Sequence, residues 1–119
     1  MSELAQEQKS ELTRLMNDCP IPKLKRVLEE GLPRFISGEI TPVQHYSGVS
    51  TENFICDSLN AKCCLLGSAM IKKRIDYNFL SLDELDSLTS SFDGNKYQKN
   101  YDKEIYDYVA QIRKVIFGC

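Results

Sequence analysis

No charged residue occurs between Cys63 and Ile71, in a chain of which 27% of the residues are charged. Around this segment five residues recur at spacings of three, four, three and four: Cys56, Leu59, Cys63, Leu66 and Met70. This spacing is typical of one side of an α-helix, and most of the other positions are apolar or small. We therefore predict a helix over residues 52–74 that is buried on nearly all sides and forms the centre of the fold. In an alternative interpretation, Asn60 divides it into two shorter helices.

Two helices are predicted before this segment. Residues 3–17 carry apolar side chains at helical spacing among charged ones, which is typical of a helix with one buried side. Pro22 is suited to the first position of a second helix, over residues 22–30. Gly31 is placed to supply the left-handed residue just beyond its end.

Two further helices are predicted after the central segment. Ser81 and Glu84 have the spacing of a capping box, which begins a helix that carries Leu82, Leu85 and Leu88 and ends before the Asp93-Gly94 turn. The last helix, roughly residues 100–117, has a stripe of apolar residues that should face the core. That stripe consists of Ile105, Val109, Ile112 and Ile116.

Together these segments predict an all-α fold, an irregular bundle of about five helices around a buried central helix. The exception is residues 32–50, where two prolines and two glycines interrupt every period, so we expect one long irregular loop with at most a short strand near 39–44. A chain of 119 residues has the length of one ordinary domain. We therefore treat residues 1–119 as a single helical domain.

The charge and apolar patterns exclude two classes of partner. The net charge is −2 and is spread evenly along the chain, so no basic block is available for nucleic acid. No apolar run reaches the roughly 18 residues that a membrane span needs. The first residues lack the pattern of a secretory signal, so a cytoplasmic location is expected.

The five cysteines, an odd number at irregular spacing, are expected to be free thiols: Cys19, Cys56, Cys63, Cys64 and Cys119.

The cysteines near the centre were also considered as ligands of zinc or as a nucleophile. Adjacent helical residues such as Cys63 and Cys64 point about 100° apart, which does not suit a shared metal. His45 is the only histidine that could activate a thiol, and the predicted helix is too buried for attack. We find no P-loop, dinucleotide fingerprint or EF-hand. The sequence therefore predicts no catalytic residue, no metal and no cofactor.

A second stripe on the last helix suggests a binding surface. Tyr106, Ala110, Arg113 and Phe117 lie one position round from the apolar stripe, and Tyr, Arg and Phe are residue types found at protein interfaces. The alternative is that they only widen the core. The lysines and tyrosines of residues 96–108 resemble a stacking platform for single-stranded nucleic acid. Nearby acids balance the lysines, which favours a solvated amphipathic helix.

The function expected from these patterns is binding without catalysis. The chain would act on a protein partner as a small adaptor, regulator or inhibitor, and a second copy of itself is one such partner. Phages and mobile elements encode proteins of similar size and acidity, which is an analogy only. The expected contact residues are His45, Tyr46, Tyr106, Arg113 and Phe117. Two alternatives remain: a helical domain that binds or senses a small ligand, and an enzyme that uses Cys63 or Cys64 with His45.

Overall fold

The computed structural model describes residues 4–44, 62–70 and 79–119, and these ranges contain five helices. They are α1 (Gln6–Asn17), α2 (Pro22–Ile36), α3 (Leu65–Met70), α4 (Leu82–Asp93) and α5 (Lys103–Phe117). Between α2 and α3, β1 (Thr41–Pro42) pairs in parallel with β2 (Lys62–Cys63). Two residues a strand are too few to form a layer of the fold. The predicted all-α class is therefore confirmed, and so is the short strand within residues 39–44.

The helix at the centre of the described residues is α2, which contacts α1 and α3. Its buried residues are Leu24, Val27, Leu28, Gly31, Leu32 and Phe35. The prediction that this helix stops at residue 30 is wrong, because it continues to Ile36 with Pro33 inside it. Burial of Leu32 and Phe35 offsets the intrinsic cost of a glycine and a proline within a helix. The left-handed glycine beyond the end is Gly38, with φ of 82°.

The predicted central helix over residues 52–74 is wrong at Lys62 and Cys63, which form β2 instead. Only α3 is helical within the described part of that range. The buried residues of α3 include Leu65 and Ala69, whereas Leu66, on the predicted seam, is only half-buried. Residues 52–61 and 71–74 of the predicted helix lie outside the described residues. The predicted loop over 32–50 is wrong for residues 32–36, which belong to α2, and residues 45–50 lie outside the description.

The contact between α2 and α3 is unusually close at Gly31. A Cβ atom there would lie 3.0 Å from Leu65 Cδ1 and 3.1 Å from the Leu65 carbonyl oxygen. The Ser68 hydroxyl donates to the Gly31 carbonyl at 2.7 Å, and the Arg34 Nη1 donates to the Ser68 carbonyl at 2.9 Å. Glycine is therefore required here by the backbone of the neighbouring helix, and not by a turn.

The capping box that begins α4 and the glycine that ends α5 lie where the sequence places them. The Ser81 hydroxyl accepts from the Glu84 amide at 3.1 Å, and the Glu84 carboxylate accepts from the Ser81 amide at 2.7 Å. This backbone hydrogen bond, with the ion pair to Lys23, holds the pKa of Glu84 below its ordinary value of 4.5. Gly94 and Gly118 end the two helices with φ of 79° and 78°. The predicted start of α4 after Ser81 and the predicted end of α5 at Gly118 are thus confirmed, whereas α4 continues through its serines to Asp93 and α5 begins only at Lys103.

One residue of α4 does not lie where its pattern suggests. The predicted helix carries Leu82, Leu85 and Leu88, but the side chain of Leu82 is 78% exposed. The buried residues of α4 are Ser87, Leu88, Ser91 and Phe92. Leu88 lies six positions after Leu82, and at about 100° a residue this rotates Leu82 about 120° away from Leu88 on the buried side.

Replacing Ser81 by alanine should lower the free energy of unfolding by about 1 kcal/mol, because the Glu84 amide loses its acceptor. Chemical denaturation of the two proteins measures the difference. Thr13 is a suitable control, since its hydroxyl bonds only within the exposed side of α1. A loss at Ser81 no larger than that of Thr13→Ala would mean that the capping box does not stabilise α4.

Candidate protein-binding surface

Three tyrosines pack against one another at the turn that joins α4 to α5. The ring centroids of Tyr97 and Tyr101 are 5.9 Å apart, those of Tyr97 and Tyr106 5.2 Å, and those of Tyr101 and Tyr106 5.8 Å. Tyr97 is 39% exposed and the other two are half-buried. We call these rings, with the flanking Lys96 and Lys99, the tyrosine surface.

Hydrogen bonds fix the three rings in place. The Tyr97 hydroxyl donates to the Tyr101 carbonyl at 3.2 Å, and the Tyr101 hydroxyl donates to the Ser90 hydroxyl at 2.8 Å. The Tyr106 hydroxyl donates to the Asn95 carbonyl. Side chains held in this way have already lost the rotamer freedom that a binding event would otherwise remove. The tyrosine surface is therefore preorganised.

Serine hydroxyls hold α5 against α4 and so position this turn. The Ser87 hydroxyl accepts from the Asp102 amide at 2.6 Å, and the Ser91 hydroxyl donates to the Tyr106 carbonyl at 2.6 Å. The Asp102 side chain in turn accepts from the Ile105 amide at 3.1 Å and caps α5. Small buried serines allow the two helices to approach closely while the polar groups between them are satisfied.

The tyrosine surface is basic, although the segment that contains it is not. Residues 94–101 include Lys96 and Lys99 and no carboxylate, and both lysines are exposed. Of the nearby acids, Asp102 caps α5 and Asp107 pairs with Lys103 at 2.6 Å. Within the part of the chain that the structure describes, neither Lys96 nor Lys99 forms an ion pair. Two exposed cations, close in sequence to the exposed ring of Tyr97, are thus available to a partner.

Arg113 lies where the end of α4 meets the segment after α2. Its Nη1 donates to the Ser91 carbonyl at 2.5 Å, and Gln44 Nε2 donates to the Phe92 carbonyl at 3.1 Å. A Cβ atom at Gly94 would lie 3.4 Å from Gln44 Nε2 and 3.8 Å from Arg113 Cδ. The structure therefore brings Gln44, from the predicted loop, next to the predicted stripe of α5.

The residues expected at the contact differ in their surroundings. The Phe117 ring packs edge-on against Phe92, with centroids 5.5 Å apart, so Phe117 contributes to the core. Arg113 binds two backbone carbonyls, those of Ser91 and Cys119. Tyr106 belongs to the tyrosine surface. His45 and Tyr46 lie outside the described residues.

Tyr97 and Tyr101 lie before the start of α5, so helical spacing does not place them on the predicted contact stripe. The lysines of residues 96–108 were discounted because acids balance them over that whole segment. The first of these acids is Asp102, so residues 94–101 carry lysines as their only charged side chains. The sequence feature that could have indicated this basic surface is the absence of any carboxylate between Gly94 and Tyr101.

The cysteines of the described residues are free thiols. Cys19, Cys63 and Cys64 are buried and Cys119 is exposed, while Cys56 lies outside the description. Burial raises the pKa of the Cys19 thiol, which disfavours the thiolate. Among the described residues, no group of three or more His, Cys, Asp or Glu side chains is arranged to hold a metal ion.

Two shallow depressions of about 350 and 530 Å³ lie along the outer side of α1. Their linings share Gln6 and Ser10, and one of them includes Glu11 and Arg14, which pair with each other at 2.9 Å. Both depressions are wide open to solvent, unlike the concave pockets that bury most of a small molecule. These depressions therefore do not favour the alternative of a small-ligand domain.

Comparisons with known proteins do not assign the chain to a family. No family model, curated protein or solved structure matches the chain. None of the helices in the described ranges is both long and apolar enough to span a bilayer. The tyrosine surface is thus the feature on which a function can be argued.

Proposed function

We propose that this chain is a non-catalytic protein-binding module and that the tyrosine surface is the centre of its contact. The observation that carries the proposal is the exposure of Tyr97, at 39%, on a cluster whose three hydroxyls are already bonded. Tyrosine is enriched among the interface residues that dominate binding energy, because one rigid ring supplies both apolar area and a polar group.

Two observations support binding without chemistry. Cys63 and Cys64, the thiols considered as nucleophiles, are buried. The turn between α4 and α5 presents rings and ammonium groups, which recognise a surface without breaking bonds. The module would act by occupying part of a protein's surface, as an adaptor, a regulator or an inhibitor does. Arg113 and Phe117 would support the contact by holding α5 against α4.

Replacing Tyr97 by alanine should weaken the partner's affinity at least tenfold, because removal of an interface anchor costs about 2 kcal/mol or more. The measurement is quantitative affinity capture from a lysate of the source cells, with the captured proteins compared between variants by mass spectrometry. Gln111→Ala is the matched control, because Gln111 is exposed on the same helix, α5, away from the turn.

The melting temperature of Tyr97→Ala should stay close to that of the parent, since an exposed side chain contributes little to folding. A folded Tyr97→Ala protein that retains every partner of the parent at the parent's affinity would contradict the proposal. Equal losses in Tyr97→Ala and Gln111→Ala would contradict it as well.

A further inference from the structure

Two large hydrophobic side chains in the described residues are exposed, and they lie near opposite ends of α4. Leu82, at the first position of the helix, is 78% exposed, and Tyr97, three residues beyond Gly94, is 39% exposed. The helix has 12 residues, which corresponds to a length of about 18 Å. A single copy of the protein therefore presents two separate apolar contact points.

The charges around these two points are opposite in sign. Asp86 is exposed four residues after Leu82, on the same side of α4, and the exposed Asp83 lies three residues from Asp86, since residues three or four apart are neighbours on a helix. Of the cations described near this end, Lys23 is paired with Glu84 at 3.2 Å. The Tyr97 end carries Lys96 and Lys99, with no carboxylate between residues 94 and 101.

We propose, as a deeper statement that rests on the proposed function, that the tyrosine surface binds the Leu82 end of α4 on a second copy of this chain. Leu82 would lie against the exposed ring of Tyr97, and Asp83 and Asp86 would face Lys96 and Lys99. Complementary charge fixes the register of such a contact, and the apolar pair supplies the area removed from water.

The contact is head to tail, because each copy uses one end of α4 to bind the other end of its neighbour. Such heterologous contacts leave one surface of each kind free, and the assembly grows into a ring or a chain of copies. Each patch contains one exposed apolar side chain, so the contact belongs with weak interfaces that bury less than about 1,200 Å². Association is therefore expected at high protein concentration.

Sedimentation velocity on the full chain, from roughly 10 μM to 1 mM, tests this contact in the range of weak affinities. The sedimentation coefficient of the parent should rise with concentration, and raising the salt from about 50 to 500 mM should weaken the rise because the charges are exposed. Leu82→Ser and Tyr97→Ser should each remain monomeric, while the control Gln111→Ser should associate as the parent does.

Mixing the two monomeric variants provides the decisive measurement. Leu82→Ser keeps an intact tyrosine surface and Tyr97→Ser keeps an intact Leu82 end, so an equimolar mixture should form a dimer that stops at two copies. A mixture that stays monomeric overturns the proposal, and so does either variant that associates as strongly as the parent. Circular dichroism confirms that both variants are folded.

A second pair of variants keeps the test independent of the apolar changes. Lys96→Gln with Lys99→Gln, and Asp83→Asn with Asp86→Asn, should each weaken association at least about tenfold at low salt, and unchanged association in either would overturn the contact. A parent that is monomeric up to about 1 mM also overturns it. If Tyr97 is nevertheless needed to capture a different protein, the proposed function stands and only the self-contact fails.

Discussion

Phe92→Ala should lower the free energy of unfolding by about 3–5 kcal/mol, a large part of the 5–15 kcal/mol typical of a domain. Phe92 on α4 is fully buried, and its ring centroid lies 6.2 Å from that of Phe35 on α2 and 5.5 Å from that of Phe117 on α5. One side chain thus joins three helices. Its removal leaves a cavity that they can fill only by moving together.

Two comparison variants relate this cost to the volume removed and to the burial of the ring. Phe92→Leu keeps most of the volume, so its cost should stay below about 1.5 kcal/mol. Phe117→Ala removes a ring that is only half-buried, and its cost should lie between those of the two Phe92 variants. Denaturation with urea gives all three values. A cost below about 1 kcal/mol for Phe92→Ala would mean that the three helices are not joined through this ring.

The parts of the fold that were predictable are those that local chemistry decides. The capping box at Ser81, the left-handed Gly94 and Gly118, and the start of α2 at Pro22 each depend on a few neighbouring residues. The end of α2 depends on distant ones. Gly31 resembles a helix terminator in sequence, but it is retained within the helix because α3, more than 30 residues later, packs against it.

The prediction of a helix at Lys62 and Cys63 was wrong for a related reason. An apolar, uncharged run has the same composition whether it forms a buried helix or a short buried strand, so its period alone cannot decide. Cys63 pairs with Pro42, a contact that no local pattern encodes. The predicted seam also includes Leu66, whereas in the structure Leu65 and Ala69 are buried against α2.

The candidate surface was half predictable. Tyr106 and Arg113 could be placed on one side of α5 by helical spacing alone. The clustering of Tyr97 and Tyr101 with Tyr106 required the geometry of the turn, which the Asn95 carbonyl and the Ser90 hydroxyl determine. Leu82 is exposed because its position on α4 is rotated away from the buried side. The regular spacing of three between Leu82, Leu85 and Leu88 does not indicate this rotation.

Gly31→Val should destabilise the protein by about 3 kcal/mol, the upper end of the usual cost of overpacking. The Cβ atom alone would lie 3.0 Å from Leu65 Cδ1 and 3.1 Å from the Leu65 carbonyl oxygen, and valine adds two further carbons. The side chain of Leu65 can rotate, but its carbonyl moves only with α3. Displacement of α3 would also strain the hydrogen bond from the Ser68 hydroxyl to the Gly31 carbonyl.

Glu29→Val is the matched control, because Glu29 is exposed on the same helix and its replacement should change stability by about 0.5 kcal/mol or less. Gly31→Ala should cost less than valine, since the helical preference of alanine over glycine returns up to about 1 kcal/mol. In a Leu65→Ala background, Gly31→Val should lose only part of its cost, because the carbonyl contact persists. If Gly31→Val is as stable as the parent, α2 and α3 do not approach as closely as their described positions require.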